Sequence, residues 1–158
     1  MNESTATIIW ERGDQKFLDN RYSRKHIIRF DGGLEIPASS SPDVVPLPYS
    51  DANAVDPEEM LVAALANCHM LWFLSIAAKK RFCVDSYMDQ ALGVMSKNSK
   101  GKLYLSQTKL NPVVIFSGEK IPTNEEFEQL HHQAHEECFI ANSVLAEIIC
   151  TPILKISV

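Results

Sequence analysis

The sequence predicts an α+β domain with the element order β-β-β-α-β-β-α-β. Two observations predict its helices. The segment Asp56–Ala78 is apolar nearly throughout and rich in alanine, which reads as a helix buried on most sides. A second segment opens with the capping box Thr123-Asn-Glu-Glu126 and then places Phe127, Leu130, Ala134 and Cys138 at spacings of three and four. A third observation predicts the sheet. Short runs rich in β-branched and aromatic residues flank both segments and are bounded by glycine and asparagine turns. A chain of 158 residues fits a single domain spanning 1–158.

Thr5–Trp10 and Lys25–Phe30 read as strands, separated by a polar loop. The Asp31-Gly32-Gly33 turn leads into a short strand at Leu34–Pro37. From Ala38 to Val55 three prolines and several serines leave no period, so this stretch is expected to be an interface or pocket-side loop. Asp56 is a good N-cap for the first helix, with Pro57 at the first helical position and Glu59 at the third. Lys79-Lys80-Arg81 closes it with the charge that the helix dipole favours. Phe82–Ser96 and Lys102–Phe116 read as two long strands joined by a turn at Asn98–Gly101. Leu145–Val158 is expected to close the sheet as a final strand.

Composition narrows the function classes. A net charge of −5 with scattered basic residues gives no footprint for nucleic acid. Asn67, His69 and Ser75 interrupt the longest apolar run, so no membrane segment is expected. The first residues lack the charged-then-apolar pattern of a signal peptide, and four cysteines then imply reduced thiols in a cytoplasmic protein.

Cys68 sits deep inside the apolar helix, and Cys138 lies on the core-facing stripe of the second one. Two thiols with polar neighbours in apolar settings form a candidate peroxidatic and resolving pair. A reactive thiolate needs a positive neighbour, and Cys68 is too far along its helix for the N-terminal dipole to serve. A loop arginine, Arg21 or Arg24, is the natural source. Glu58 reads first as a carboxylate favoured by the helix N-terminus, and alternatively as the partner that holds the arginine. Ten positions of straight helix place Glu58 and Cys68 about 15 Å apart. One arginine therefore meets both only if Glu58 comes from another subunit, which argues for a dimer with shared sites. Cys83 and Cys150, in strands, read as small buried hydrophobes.

A metal site competes for some of these residues. His131, His135 and Cys138 share one helix face, with His132 as a further option and His26 or His69 as an outside ligand. Helix-surface histidines are the ordinary alternative, and no bound metal is expected.

The run Asp56-Pro57-Glu58-Glu59, followed by an alanine-rich stretch to Asn67-Cys68, resembles the hallmark of the OsmC/Ohr family of osmotically inducible and organic-hydroperoxide-resistance proteins. Cys138-Phe-Ile-Ala-Asn142-Ser143 resembles its second hallmark. Arg21-Tyr-Ser-Arg24-Lys-His26, Cys68-His69-Met70-Leu71 and Ala134-His135-Glu-Glu-Cys138-Phe-Ile-Ala resemble a distinct subgroup of that family. Asp56 replaces the family asparagine, Phe139 replaces a usual proline, and His69 replaces an apolar residue. The resemblance implies an OsmC-like intertwined homodimer around a long central helix. It implies that Cys68 reduces organic hydroperoxides, that Cys138 forms a disulfide with it, that Arg24 activates Cys68 and that Glu58 orients the arginine. It requires no cofactor and implies an external dithiol, such as one of the lipoyl type, as reductant. The alternative is a non-enzymatic OsmC-like protein that binds a small ligand, or a metal on the His131/His135/Cys138 face.

Overall fold

Three short strands pair antiparallel at the start of the chain. In the computed structural model, which describes residues 3–157, β1 (Ala6–Ile9), β2 (His26–Phe30) and β3 (Glu35–Ala38) form a sheet in that order. Ile8 stands opposite Ile28, and Ile28 opposite Ile36, so three β-branched side chains fall in one row. Gly33, at φ +85°, makes the turn from β2 to β3. Beyond β3 the chain is irregular, as expected. It is tied down where Ser39 N–H donates to Val55 C=O (3.0 Å) and Val55 N–H to Pro37 C=O (3.2 Å). Ser39 and Ser50 are buried there, whereas Val44 and Leu47 are exposed. Residues Met1–Met60 make one compact unit and Leu61–Val158 a second.

Helix α1 (Pro57–Lys79) starts where its sequence says it should. Asp56 Oδ1 accepts from Glu59 N–H (2.7 Å) and Glu59 Oε2 accepts from Asp56 N–H (3.2 Å), a reciprocal cap. At its end Phe82 N–H bonds Ala77 C=O and Arg81 N–H bonds Ala78 C=O, both at 3.0 Å. This is a Schellman closure, and it holds Arg81 at φ +67° where glycine is usual. One expectation is corrected here. The helix is not buried on most sides within its own chain: Leu65, His69, Phe73 and Ala77 form a single buried stripe, while Leu71 is 57% exposed. The stripe advances by four residues per step, so it is one narrow face; flanking positions such as Val62, Ala66, Trp72 and Ile76 are half-buried, and the opposite row Ala63, Asn67, Leu71 and Ser75 is exposed. By length and composition alone this helix is apolar enough to cross a membrane. The phenylalanine and alanine of its stripe instead enter the core described below.

The predicted long strands are each broken once. Phe82–Ser96 becomes β4 (Cys83–Asp89) and β5 (Leu92–Lys97), and Lys102–Phe116 becomes β6 (Leu103–Leu110) and β7 (Pro112–Ser117). The final strand becomes β8 (Glu147–Cys150) and β9 (Ile153–Ile156). The result is two three-stranded sheets, β4-β7-β9 and β5-β6-β8. The breaks align. Asn111 N–H donates to Asp89 Oδ1 (2.7 Å), its Nδ2 to Gln90 C=O (3.1 Å), and Thr151 N–H to Leu110 C=O (2.9 Å). Pro112 opens β7 and Pro152 lies within the break before β9, positions that suit a residue with no N–H to offer a ladder. Asn-Pro and Thr-Pro were visible punctuation in the sequence, outweighed by the β-branched runs around them.

Helix α2 (Asn124–Glu137) carries the full capping box between Thr123 and Glu126. Its buried stripe, Phe127, Leu130 and Ala134, meets Phe73, Ala77, Phe82, Val114 and Phe116 in one core cluster. Close packing also occurs away from that cluster. A Cβ on Gly93 of β5 would lie 2.7 Å from Val62 Cγ2 and 2.8 Å from Leu105 Cδ1. Gly93→Ala is therefore expected to destabilise the protein by about 1–3 kcal/mol through overpacking. Urea unfolding checks this, and an unchanged midpoint would contradict it.

Candidate functional site

The two predicted thiols come together although seventy positions separate them. Cys68 projects half-buried from the middle of α1, and Cys138 is the C-cap of α2, only 1% exposed. Burial, and next the adjoining Cys68 thiol, push the Cys138 pKa up to about 11. Cys138 is thus a protonated thiol at neutral pH. The turn after it is held by its own residues. Ala141 N–H points to Cys138 Sγ (3.4 Å), Asn142 Nδ2 donates to Glu136 C=O (2.9 Å), and Ser143 Oγ donates to Phe139 C=O (2.7 Å). Those bonds give a physical reason for the Asn142-Ser143 pair. Phe139 is exposed and meets Trp72 edge-on, with centroids 5.6 Å apart.

Within residues 1–60, Arg24 lines an aromatic cleft of about 470 Å³ with Trp10, Phe17, Tyr22 and His26. Its guanidinium lies 3.8 Å from the centre of the Tyr22 ring. Its Nη1 donates to the carbonyls of Asn20 (3.1 Å) and Tyr22, and its Nη2 to Asn20 Oδ1 (2.7 Å). Asn20 adopts φ +59°, a conformation its short polar side chain tolerates, and this aims both of its oxygens at the guanidinium. Arg21 turns instead to Tyr49, donating from Nε to the hydroxyl at 2.9 Å. Pro57 borders the Arg24 cleft, and Glu58 is the next residue of α1. Among the described residues neither arginine forms an ion pair with Glu58.

The histidine face is corrected. His131, His135 and Cys138 do not converge: His131 is buried, His135 is exposed, and Cys138 adjoins Cys68. His131 turns inward to His69, whose Nε2 lies 2.9 Å from His131 Nδ1. Cys150 Sγ lies 3.9 Å from the first nitrogen and 3.7 Å from the second. Phe73 stacks on His131 at 4.3 Å and Phe127 meets it edge-on at 4.7 Å. Burial lowers the His69 pKa to about 4, helped by His135, and lowers that of His131 to about 3, helped by His69. Burial and then Asp89 push Cys150 up to about 12. The sequence offered His131 and His69 as ligands in separate roles. It gave no signal for Cys150, whose place beside them depends on strand order.

A family model described as OsmC-like protein matches residues 50–152. The chain belongs to the OsmC-like family. Both cysteine motifs fall within the matched residues, and Arg24 falls outside them. An OsmC-like protein of unknown function from Vibrio cholerae is 54% identical, covering 97% of this chain and 100% of its own, with a TM-score of 0.94. An organic hydroperoxide resistance protein from Elizabethkingia anophelis has the same fold at 15% identity, with TM-score 0.67 and coverage of 99% and 98%. So does OhrB, the organic hydroperoxide resistance protein of Bacillus subtilis, at 18% identity, with TM-score 0.59 and 98% of both chains covered. None of the curated proteins matches the sequence.

The histidine pair makes the stability of this OsmC-like chain pH-dependent. Two imidazoles held neutral in the fold bind fewer protons than in the unfolded chain once pH falls below about 6.5. Stability is then complete above that value and is lost as pH drops toward the folded values of about 4 and about 3. Urea unfolding in metal-free buffer should show lower stability at pH 5 than at pH 7, by up to about 1.4 kcal/mol per pH unit for each ring. A flat profile would show that the rings protonate inside the fold.

Proposed function

We propose that this protein is a thiol-dependent peroxidase that reduces organic hydroperoxides. The observation that carries the reading is the Cys68–Cys138 pair, adjoining in an OsmC-like chain, with the buried thiol protonated and the other half-exposed. That asymmetry divides the labour. The Cys68 thiolate attacks the O–O bond, taking one oxygen as sulfenic acid, and the alkoxide leaves with a proton as the alcohol. Cys138 then gives its thiol to the sulfenic acid, releasing water and forming the disulfide. An external dithiol, such as a lipoyl group, returns both thiols with two electrons and two protons. The thiols carry all the redox equivalents, so this chemistry asks for no resident cofactor.

In this reading Arg24 supplies the positive charge that Cys68 needs, from the same chain or from a second copy, and Glu58 orients it. The aromatic walls around Arg24 suit the organic part of a hydroperoxide better than hydrogen peroxide. The homodimer belongs to the same reading, because a second copy would cover the apolar faces of α1 that one chain leaves open, Leu71 among them. Four free thiols fit a reducing cytoplasm.

One equivalent of an organic hydroperoxide should remove two thiols, and peptide mapping should find Cys68 joined to Cys138. Cys138→Ser should stop at a Cys68 sulfenic acid, and Cys68→Ser should abolish turnover. Both thiols intact after turnover would sink the reading. Arg24→Ala should slow peroxide reduction roughly 10²-fold, the scale for removing a group that stabilises developing charge, with the fold retained. Mixing inactive Cys68→Ser and Glu58→Ala chains tests shared sites. Recovered activity after subunit exchange is expected, and none despite proven exchange would place the site within one chain.

A further inference from the structure

Three metal-binding atoms from three separate elements converge in the second unit, none of them a member of the thiol pair. His69 Nε2 comes from α1, His131 Nδ1 from α2 and Cys150 Sγ from the end of β8, all within 4.8 Å of one another. We propose that these three side chains form a site for a borderline-soft transition ion, with zinc(II) as the reference occupant.

The separations fit an ion. A tetrahedral centre about 2.0–2.1 Å from nitrogen and about 2.3 Å from sulfur sets its nitrogens roughly 3.3 Å apart and each nitrogen roughly 3.6 Å from the sulfur. The observed distances are 2.9, 3.9 and 3.7 Å. Imidazole and thiolate are the donor types that such an ion prefers over carboxylate-binding magnesium or calcium. The ligands are held in advance of binding. His69 and His131 are 1% and 3% exposed, their rings lie within 7° of parallel, and Phe73 and Phe127 clamp His131 on two sides.

The surroundings also point to a missing charge. A simple imidazole–imidazole hydrogen bond uses one proton between the facing nitrogens and leaves Cys150 with no cation. Near it, the Tyr87 hydroxyl and Asp89 Oδ2 are buried with no partner among the described residues, an unusual concentration of polar atoms for a protein interior. An ion bound to His69, His131 and Cys150 would give these oxygens a positive field to face. An entry path exists, since His131 and Cys150 line a groove of about 300 Å³ whose walls include Glu128, His132 and His135. The fourth position would be open to water or to a small ligand from that groove. Bound there, the ion would join α1, α2 and β8 and hold Cys150 as a thiolate ligand, apart from the peroxide chemistry.

Cobalt(II) provides the test, because its coordination is visible. Reduced, metal-stripped protein titrated with cobalt(II) should bind one equivalent per chain. It should show a thiolate-to-cobalt charge-transfer band with the intense visible bands of four-coordination, and zinc(II) should displace the cobalt. Cys150→Ser should lose the charge-transfer band, while the Cys68→Ser/Cys138→Ser double variant should keep it. The wild-type titration needs no variant to fold. A folded wild type without the thiolate band would overturn the site, leaving only the imidazole hydrogen bond. So would a band that survives Cys150→Ser, or one that vanishes in the double variant.

Discussion

The packing of one stripe of α1 against the sheet and α2 is the constraint on which the rest of the structure depends. Phe73 and Ala77 anchor the stripe in the core with Val114, Phe116, Phe127, Leu130 and Ala134. Once those residues are fixed, the direction of every other side chain on the helix is fixed as well. Successive residues project about 100° apart around a helix. Cys68 and His69 are neighbours in sequence, yet they face different partners: Cys68 meets Cys138, and His69 meets His131. A single helix thus serves two groups of chemically active side chains.

The same packing sorts the thiols by environment. Cys138 caps α2 in a turn that its own backbone and Asn142 hold closed, and burial keeps it protonated. Cys150 is pushed up further, by burial and by Asp89, and sits beside two imidazoles. Cys68 and Cys150 are both half-buried, but Cys68 alone projects from the middle of a helix, beside another thiol. Reactivity in such a set follows access and the nearest charge more than the residue type, so equal thiols acquire unequal roles.

Arg24 illustrates how a loop can hold a cation in readiness. Its guanidinium rests on Tyr22, which stacks in turn with Phe17 at 4.6 Å, and its N–H groups are met by Asn20 and Tyr22 oxygens. None of those partners is a carboxylate, so the positive charge is oriented without being neutralised.

Local signals in the sequence determined the helices and their ends. Asp56 with Glu59 and Thr123 with Glu126 each form the reciprocal cap that their spacing required, and the Phe127-Leu130-Ala134-Cys138 stripe is buried as its period implied. The cysteine motifs likewise led to the OsmC-like family. Such features depend on residues within one or two helical turns of each other, where backbone geometry alone sets the contacts. The tertiary structure decided what those contacts could not. It turned His131 away from His135 and toward His69, placed Cys150 beside both, and broke the long strands at Asn111 and Pro152. It also left one row of α1, Ala63, Asn67, Leu71 and Ser75, uncovered by its own chain. Each of these outcomes depends on how distant strands pair and which side of a helix meets them. A local hydrophobic period does not contain that information, because the same apolar or polar residue satisfies it whichever partner the fold later supplies.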